Sequence, residues 1–163
     1  MRGRAWTFGD DISTDHIAPG RLFHLRSNLP ELAKHVLEDA DPEFASKVSR
    51  GDFVVGGRNF GLGSSREHAP TIIKLAGVSA VLAQSFARIF YRNAINVGLP
   101  VIQVDTSGME TGDELDVDLA AGVVKNVTKG TELRFDKLPA VMTAILDEGG
   151  LVPYVRKHGD LTL

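Results

Sequence analysis

The run Phe53-Val54-Val55, with the glycine-rich stretch Gly57 to Pro70 (GRNFGLGSSREHAP) that comes after it, constrains the fold of this chain more than any other segment. Three large apolar residues bounded by glycines predict a short buried strand. Gly56, Gly57, Gly61 and Gly63 then permit backbone turns that a residue with a Cβ resists. A helix is predicted immediately afterwards, with Ser64 or Ser65 as N-cap, Glu67 and His68 in its first turn, and Ile72, Ile73 and Ala76 as its apolar stripe. Gly77 marks its end, and Ala80-Val81-Leu82-Ala83 predicts a second buried strand. The result is a parallel strand-helix-strand core.

At such a turn the loop amides and the positive end of a helix dipole are expected to face one ligand, and an anion suits both. Arg66 adds a permanent charge whose planar fork matches a carboxylate or phosphate through two parallel bonds. The hydroxyls of Ser64 and Ser65 can donate to the same group or exchange a proton beside it. Taken singly, Ser64 serves equally well as a helix cap and Arg66 as a solvated charge. Four glycines and Ser-Ser-Arg-Glu together at a strand-to-helix turn favour a ligand site. Two familiar phosphate motifs do not fit, because no Gly-Lys-Ser/Thr is present and the sixth position of the Gly61-x-Gly63 run is Arg66.

The rest of the chain supplies the frame. Residues 3–8 predict a first strand, followed by the polar loop GDDISTDHIAPG from Gly9 to Gly20. Asp10, Asp11, Asp15 and His16 lack the alternating spacing of a calcium loop, so turn and capping roles are expected, with Asp15 and His16 orienting a neighbouring arginine or serine. Residues 21–28 read as a loop that presents side chains, with helices over 30–37 and, as a short turn, 42–48. A core helix over 85–97 is expected to turn Phe86, Ile89, Phe90 and Ile95 inward. A third strand over 100–104 follows. Residues 112–135 predict antiparallel hairpins, with Asp113, Glu114, Asp116 and Asp118 on a solvated face, and helices close the chain over 139–148 and 151–157.

With 163 residues the chain suits one domain over 1–163, large enough to bury a core without staples. A net charge of -3 with dispersed basic residues gives no reason for bulk attraction to nucleic acid or an acidic membrane. No apolar run approaches the ~20 residues of a membrane span, and residues 1–4 lead into a strand rather than a signal segment, so a cytoplasmic location is the default. The absence of cysteine excludes thiolate nucleophiles, zinc ribbons and cysteine-ligated iron-sulfur clusters on this chain. Any such centre has to come from another chain.

At GLGSSREH, joined to STDHIAPG upstream and to FYRNAINVGLP and GGLVPYVRKHG downstream, the chain closely resembles the small subunits of 3-isopropylmalate dehydratase and homoaconitase, of the aconitase superfamily. The resemblance runs nearly end to end. It implies a swivel-type β/β/α three-layer α/β domain, with additional antiparallel strands, lying over the 4Fe-4S cluster of a cysteine-bearing large subunit in a heterodimer or heterotetramer. It further implies a hydro-lyase that moves a hydroxyl between adjacent carbons of a di- or tricarboxylic acid, the cluster acting as Lewis acid. Carried over by motif, Ser64 is the base, Ser65 and Arg66 hold a substrate carboxylate, and Asp15 and His16 match the Thr-Asp-His segment that supports the site. Arg26 matches a substrate-binding arginine when one residue is deleted between Asp15 and Arg26.

Three functions compete on these residues. One is a dehydratase subunit acting on 3-isopropylmalate in leucine biosynthesis, for which Leu22, Phe23 and Leu25 would surround the isopropyl group. Another is the same chemistry on homoaconitate, for which Arg26 would pair with a distal carboxylate, or on another malate derivative such as dimethylmalate. The third is a non-catalytic module that captures a small acid.

Overall fold

The computed structural model describes residues 1–64 and 66–159. Four strands run parallel: β1 (Arg2–Thr7), β2 (Phe53–Val55), β3 (Ala80–Ala83) and β4 (Val101–Gln103). Three more, β5 (Glu114–Asp118), β6 (Val123–Asn126) and β7 (Thr131–Arg134), continue the same sheet in antiparallel fashion, in the order β4-β3-β2-β1-β5-β6-β7. The change of sense occurs within β1. Its Ala5 to Thr7 pair with Phe53 to Val55, whereas Arg2 to Arg4 pair with Asp116 to Glu114.

Alternation along the strands creates two apolar faces. Phe53, Val55, Ala80, Leu82 and Ile102 face one way and pack against Leu115, Val117 and Val124, so the antiparallel half curls over the parallel half. Val54, Val81 and Val101 face the other way, under a helical layer. That layer contains α1 (Thr14–Ile17), α2 (Leu29–Ala33), α3 (Phe44–Lys47), α4 (His68–Leu75), α5 (Arg88–Val97), α6 (Ala140–Asp147) and α7 (Leu151–His158). Ile17, Leu32, Phe44, Ile72, Ile73, Phe90, Ile145 and Tyr154 are its buried contributions. The layers are therefore β/β/α, as expected.

Helix α4 begins later than its serines suggest. It starts at His68, with no side-chain cap and with Glu67, three residues past Ser64, at the N-cap position. Pro70 is the reason. A proline has no N–H to donate and is tolerated only in a first turn; a helix capped at Ser64 would bury it in the second, where its nitrogen would be needed. Ser64 is thereby left outside the helix, on the loop, with its hydroxyl not used as a cap. Two smaller corrections follow from packing. Ile89 is exposed on α5, and Asp113 is buried, accepting from Asn126 Nδ2 at 2.8 Å and from the Glu110 amide at 2.9 Å. The Asn126 bond first, and Lys129 nearby, hold the Asp113 carboxyl below its ordinary pKa against the opposing effect of burial.

The glycine loop works mainly through close packing. At Gly61, φ is +86° and a Cβ would lie 2.2 Å from the Phe90 ring. Gly61→Ala is expected to destabilise the chain by about 2–4 kcal/mol, combining left-handed backbone strain with overpacking. Urea unfolding measures this directly; a midpoint within error of the wild type would refute it.

Candidate active site

Two loops are laced together by their backbones before any side chain is considered. Gly61 N–H donates to Ile12 O at 2.6 Å and Thr14 N–H donates to Leu62 O at 2.8 Å, which fixes the start of α1 beside residues 61–64. Two side-chain contacts extend this seam. Thr14 Oγ1 lies 3.3 Å from Ser64 Oγ, and Arg66 Nη1 lies 2.5 Å from Asp15 Oδ1. Adjacent residues of one loop thus meet Ser64 and Arg66 of the other.

Arg66 Nη1 also donates to Ala18 O at 3.2 Å. One guanidinium nitrogen is therefore committed twice to α1 and its cap. Among the described residues the Nε and Nη2 edge has no partner, and that edge is the side-on fork that fits a carboxylate. Asp15 orients Arg66 and offsets part of its charge.

His16 is held differently. Ser13 N–H donates to His16 Nδ1 at 2.9 Å while His16 N–H donates to Ser13 Oγ at 3.2 Å, which makes a reciprocal cap for α1. Because Nδ1 accepts from an amide, the proton of the neutral ring belongs on Nε2. Its visible work is to hold the short helix that carries Asp15.

The segment expected as a loop at 21–28 is a 3-10 helix over Gly20–Leu25. Leu22 and Leu25 pack toward the core, whereas Phe23 is 46% exposed, so the three apolar residues do not share one outward surface. Phe23 instead organises charges. The Arg26 guanidinium lies 4.3 Å from its ring centroid and donates to the Phe23 carbonyl at 3.3 Å; the Arg66 guanidinium lies 5.6 Å from the same centroid. His68 approaches this ring as well, at 6.4 Å between centroids. Arg26, Arg66 and His68 are thus brought around a single aromatic side chain. Ser65 falls outside the described residues.

The expectation that all loop amides face a ligand needs correction. Gly56, Gly57, Phe60 and Gly61 donate to Leu82, Gly9, Ser85 and Ile12 carbonyls, and the Arg58 and Asn59 amides donate to Asp10 and Ser85 side chains. Only past this point do the amides come free: Leu62 still bridges to Ser13, whereas those of Gly63, Ser64 and Arg66 have no partner among the described residues. The part of the loop with unpaired amides is therefore its last third, around Ser64.

His68 was legible only as a first-turn residue, and its role emerges from the fold. Burial, and then the charges of Arg66 and Arg26, lower its pKa from the ordinary 6.5. Its imidazole is neutral at neutral pH. As pH falls, the unfolded chain takes up this proton before the folded chain does, so stability is full above about 6.5 and declines below it. His68→Asn is expected to flatten that acid-side decline in urea midpoints, and the wild-type imidazole should titrate below 6.5 by NMR. A His68 imidazole titrating above that value would contradict the two-guanidinium environment.

The chain is similar to known proteins over nearly its whole length. The family model described as the Aconitase C-terminal domain matches residues 27–107. The chain is 68% identical to the 3-isopropylmalate dehydratase small subunit 2 of Archaeoglobus fulgidus, over 100% of this chain and 99% of that protein. It is 54% identical to the methanogen homoaconitase small subunit of Methanothermobacter thermautotrophicus, over 98% and 93%. Among solved structures, a 3-isopropylmalate dehydratase from Methanocaldococcus jannaschii superposes with a TM-score of 0.93 at 44% identity, covering 97% of this chain and 94% of that one.

Proposed function

This chain belongs to the small-subunit family of 3-isopropylmalate dehydratase, in the aconitase superfamily, and from that premise we propose that it is one half of a cytoplasmic hydro-lyase that interconverts 3-isopropylmalate and 2-isopropylmalate. The observation that carries the reading is the seam at which Thr14-Asp15 meets Ser64 and Arg66, the serine hydroxyl against Thr14 and the guanidinium against Asp15.

Within this reading Ser64 is the base. As an alkoxide it takes the proton alpha to a substrate carboxylate, and in the return direction it gives that proton back. An alkoxide is costly in water; the amides of Gly63, Ser64 and Arg66 and the two guanidiniums reduce that cost once a partner closes the face to solvent. Arg66 holds the carboxylate through Nε and Nη2, which places the adjacent carbon against Ser64. Asp15 holds Arg66, His16 holds the helix of Asp15, and Ser65 contributes to the same carboxylate.

The 4Fe-4S cluster that family membership implies does not fit this chain. There is no cysteine, and among the described residues no group of three or more His, Asp or Glu is placed to hold a metal ion. We assign the cluster to a cysteine-bearing large subunit, in a heterodimer or heterotetramer, and all the steps above belong to residues of the small subunit alone. Among the described residues no helix is long and apolar enough to cross a membrane.

Phe23 supports isopropylmalate, since it offers an apolar surface beside the carboxylate edge and Arg26 is already engaged with its ring and carbonyl. A second reading, a homoaconitate-type substrate, rests on Arg26 leaving that ring to meet a third carboxylate. The experiment is anaerobic reconstitution with the large subunit, comparing isopropylmalate, homoaconitate, citrate and dimethylmalate. Arg26→Val is expected to change the ratio of kcat/KM for isopropylmalate over homoaconitate by less than about threefold, because an exposed charge on an exposed ring contributes little. A swing of about 30-fold or more toward isopropylmalate, the size expected on losing a charged partner, would establish the second reading.

A further inference from the structure

We infer that Thr14 is a positioning residue for Ser64: its hydroxyl donates to Ser64 Oγ and stabilises the ionised form of that oxygen. The inference rests on the reading of Ser64 as base and adds a residue to it.

Three observations converge. Thr14 is only 2% exposed, yet its Oγ1 lies 3.3 Å from Ser64 Oγ, and among the described residues it has no other hydrogen-bond partner. A buried hydroxyl without a partner is costly, so Ser64 is what satisfies it. The approach is also built into the backbone. Thr14 N–H donates to Leu62 O at 2.8 Å, and Gly63, with φ at +112°, passes so close that a Cβ there would stand 3.1 Å from Thr14 Oγ1. Finally, Thr14 sits in the first turn of a helix that Ser13 and His16 cap reciprocally, so its position is held from both sides.

With both groups neutral, either oxygen can be the donor. Once Ser64 has lost its proton, only Thr14 can donate, and a hydrogen bond to an anion is shorter and stronger than one between neutral hydroxyls. Thr14 keeps its own proton throughout. When the Ser64 alkoxide takes the substrate proton, the Thr14 bond returns to its neutral strength, so the contact favours the base form and not the protonated form. Losing it raises the pKa of Ser64.

The test uses the reconstituted two-subunit enzyme. Thr14→Val, similar in shape without the hydroxyl, is expected to lower kcat about 10- to 100-fold, at or below the loss on deleting one oxyanion donor because the resting distance is long. It should move the acidic limb of the kcat/KM profile to higher pH and leave the calorimetric Kd for isopropylmalate within about twofold. Thr14→Ser should restore most of the turnover and the original profile. Should Thr14→Val fail to assemble, Thr14→Ala removes the same hydroxyl without a second methyl. Wild-type turnover and profile in the hydroxyl-deleted variant would overturn the inference, as would a Thr14→Ser variant impaired as deeply as Thr14→Val. Ser64→Ala distinguishes this failure from that of the parent reading. An active Ser64→Ala variant removes Ser64 as base, whereas an inactive one beside an unimpaired Thr14→Val removes only the role of Thr14.

Discussion

Ser64→Ala in the reconstituted enzyme is expected to lower kcat by about 10³- to 10⁴-fold while leaving substrate affinity within about threefold. The change removes the oxygen that takes the proton and little else. Ser64 lies outside α4, whose N-cap position is Glu67, so no helix cap is lost. The group most affected structurally is Thr14 Oγ1, which a water can reach through the exposed Ser64 position. Stopped turnover with retained binding separates a hydro-lyase from a module that merely captures a small acid, because such a module has no turnover to lose. If the variant kept wild-type kcat, the base would have to be sought elsewhere.

Arg66→Lys is expected to lower kcat/KM on the order of 10²-fold, within a few-fold of Arg66→Ala, although it keeps the charge. Arg66 performs two tasks with different nitrogens. Nη1 is held by Asp15 at 2.5 Å and by the Ala18 carbonyl at 3.2 Å, which leaves Nε and Nη2 for the substrate. A lysine ammonium has one centre for both tasks. If it pairs with Asp15 it abandons the carboxylate, and if it meets the carboxylate it leaves Asp15 unpaired and loses the side-on geometry. Turnover of the lysine variant near that of the wild type would reject carboxylate binding through the free edge.

Much of this architecture was legible in the sequence because it depends on local pattern. Phe53 to Val55 and Ala80 to Ala83 are short apolar runs, and they form central strands where both sheet faces are covered. Ser64, Arg66 and Asp15 were recognisable as a group from their motifs, and the fold brings them to one seam. What escaped depends on contacts distant in sequence or on a local rule outweighed by another. The onset of α4 was misplaced because the capping preference of serine was weighed without the restriction imposed by Pro70. The loop amides were assigned to a ligand although six of them are spent on residues 9–12, 82 and 85, pairings that no local pattern reports. Phe23 read as one of three equivalent apolar residues, and only the 3-10 turn separates it from Leu22 and Leu25. Thr14 carried no signal beyond standing next to Asp15.

The most direct test of a shared active site is 3-isopropylmalate turnover under anaerobic conditions with this chain alone, the large subunit alone and the two combined. Turnover is expected only in the combination, since Ser64 and Arg66 lie on this chain and thiolate ligands for a cluster cannot. Turnover by this chain alone, or by the large subunit without it, would contradict the claim that the active site is shared between them.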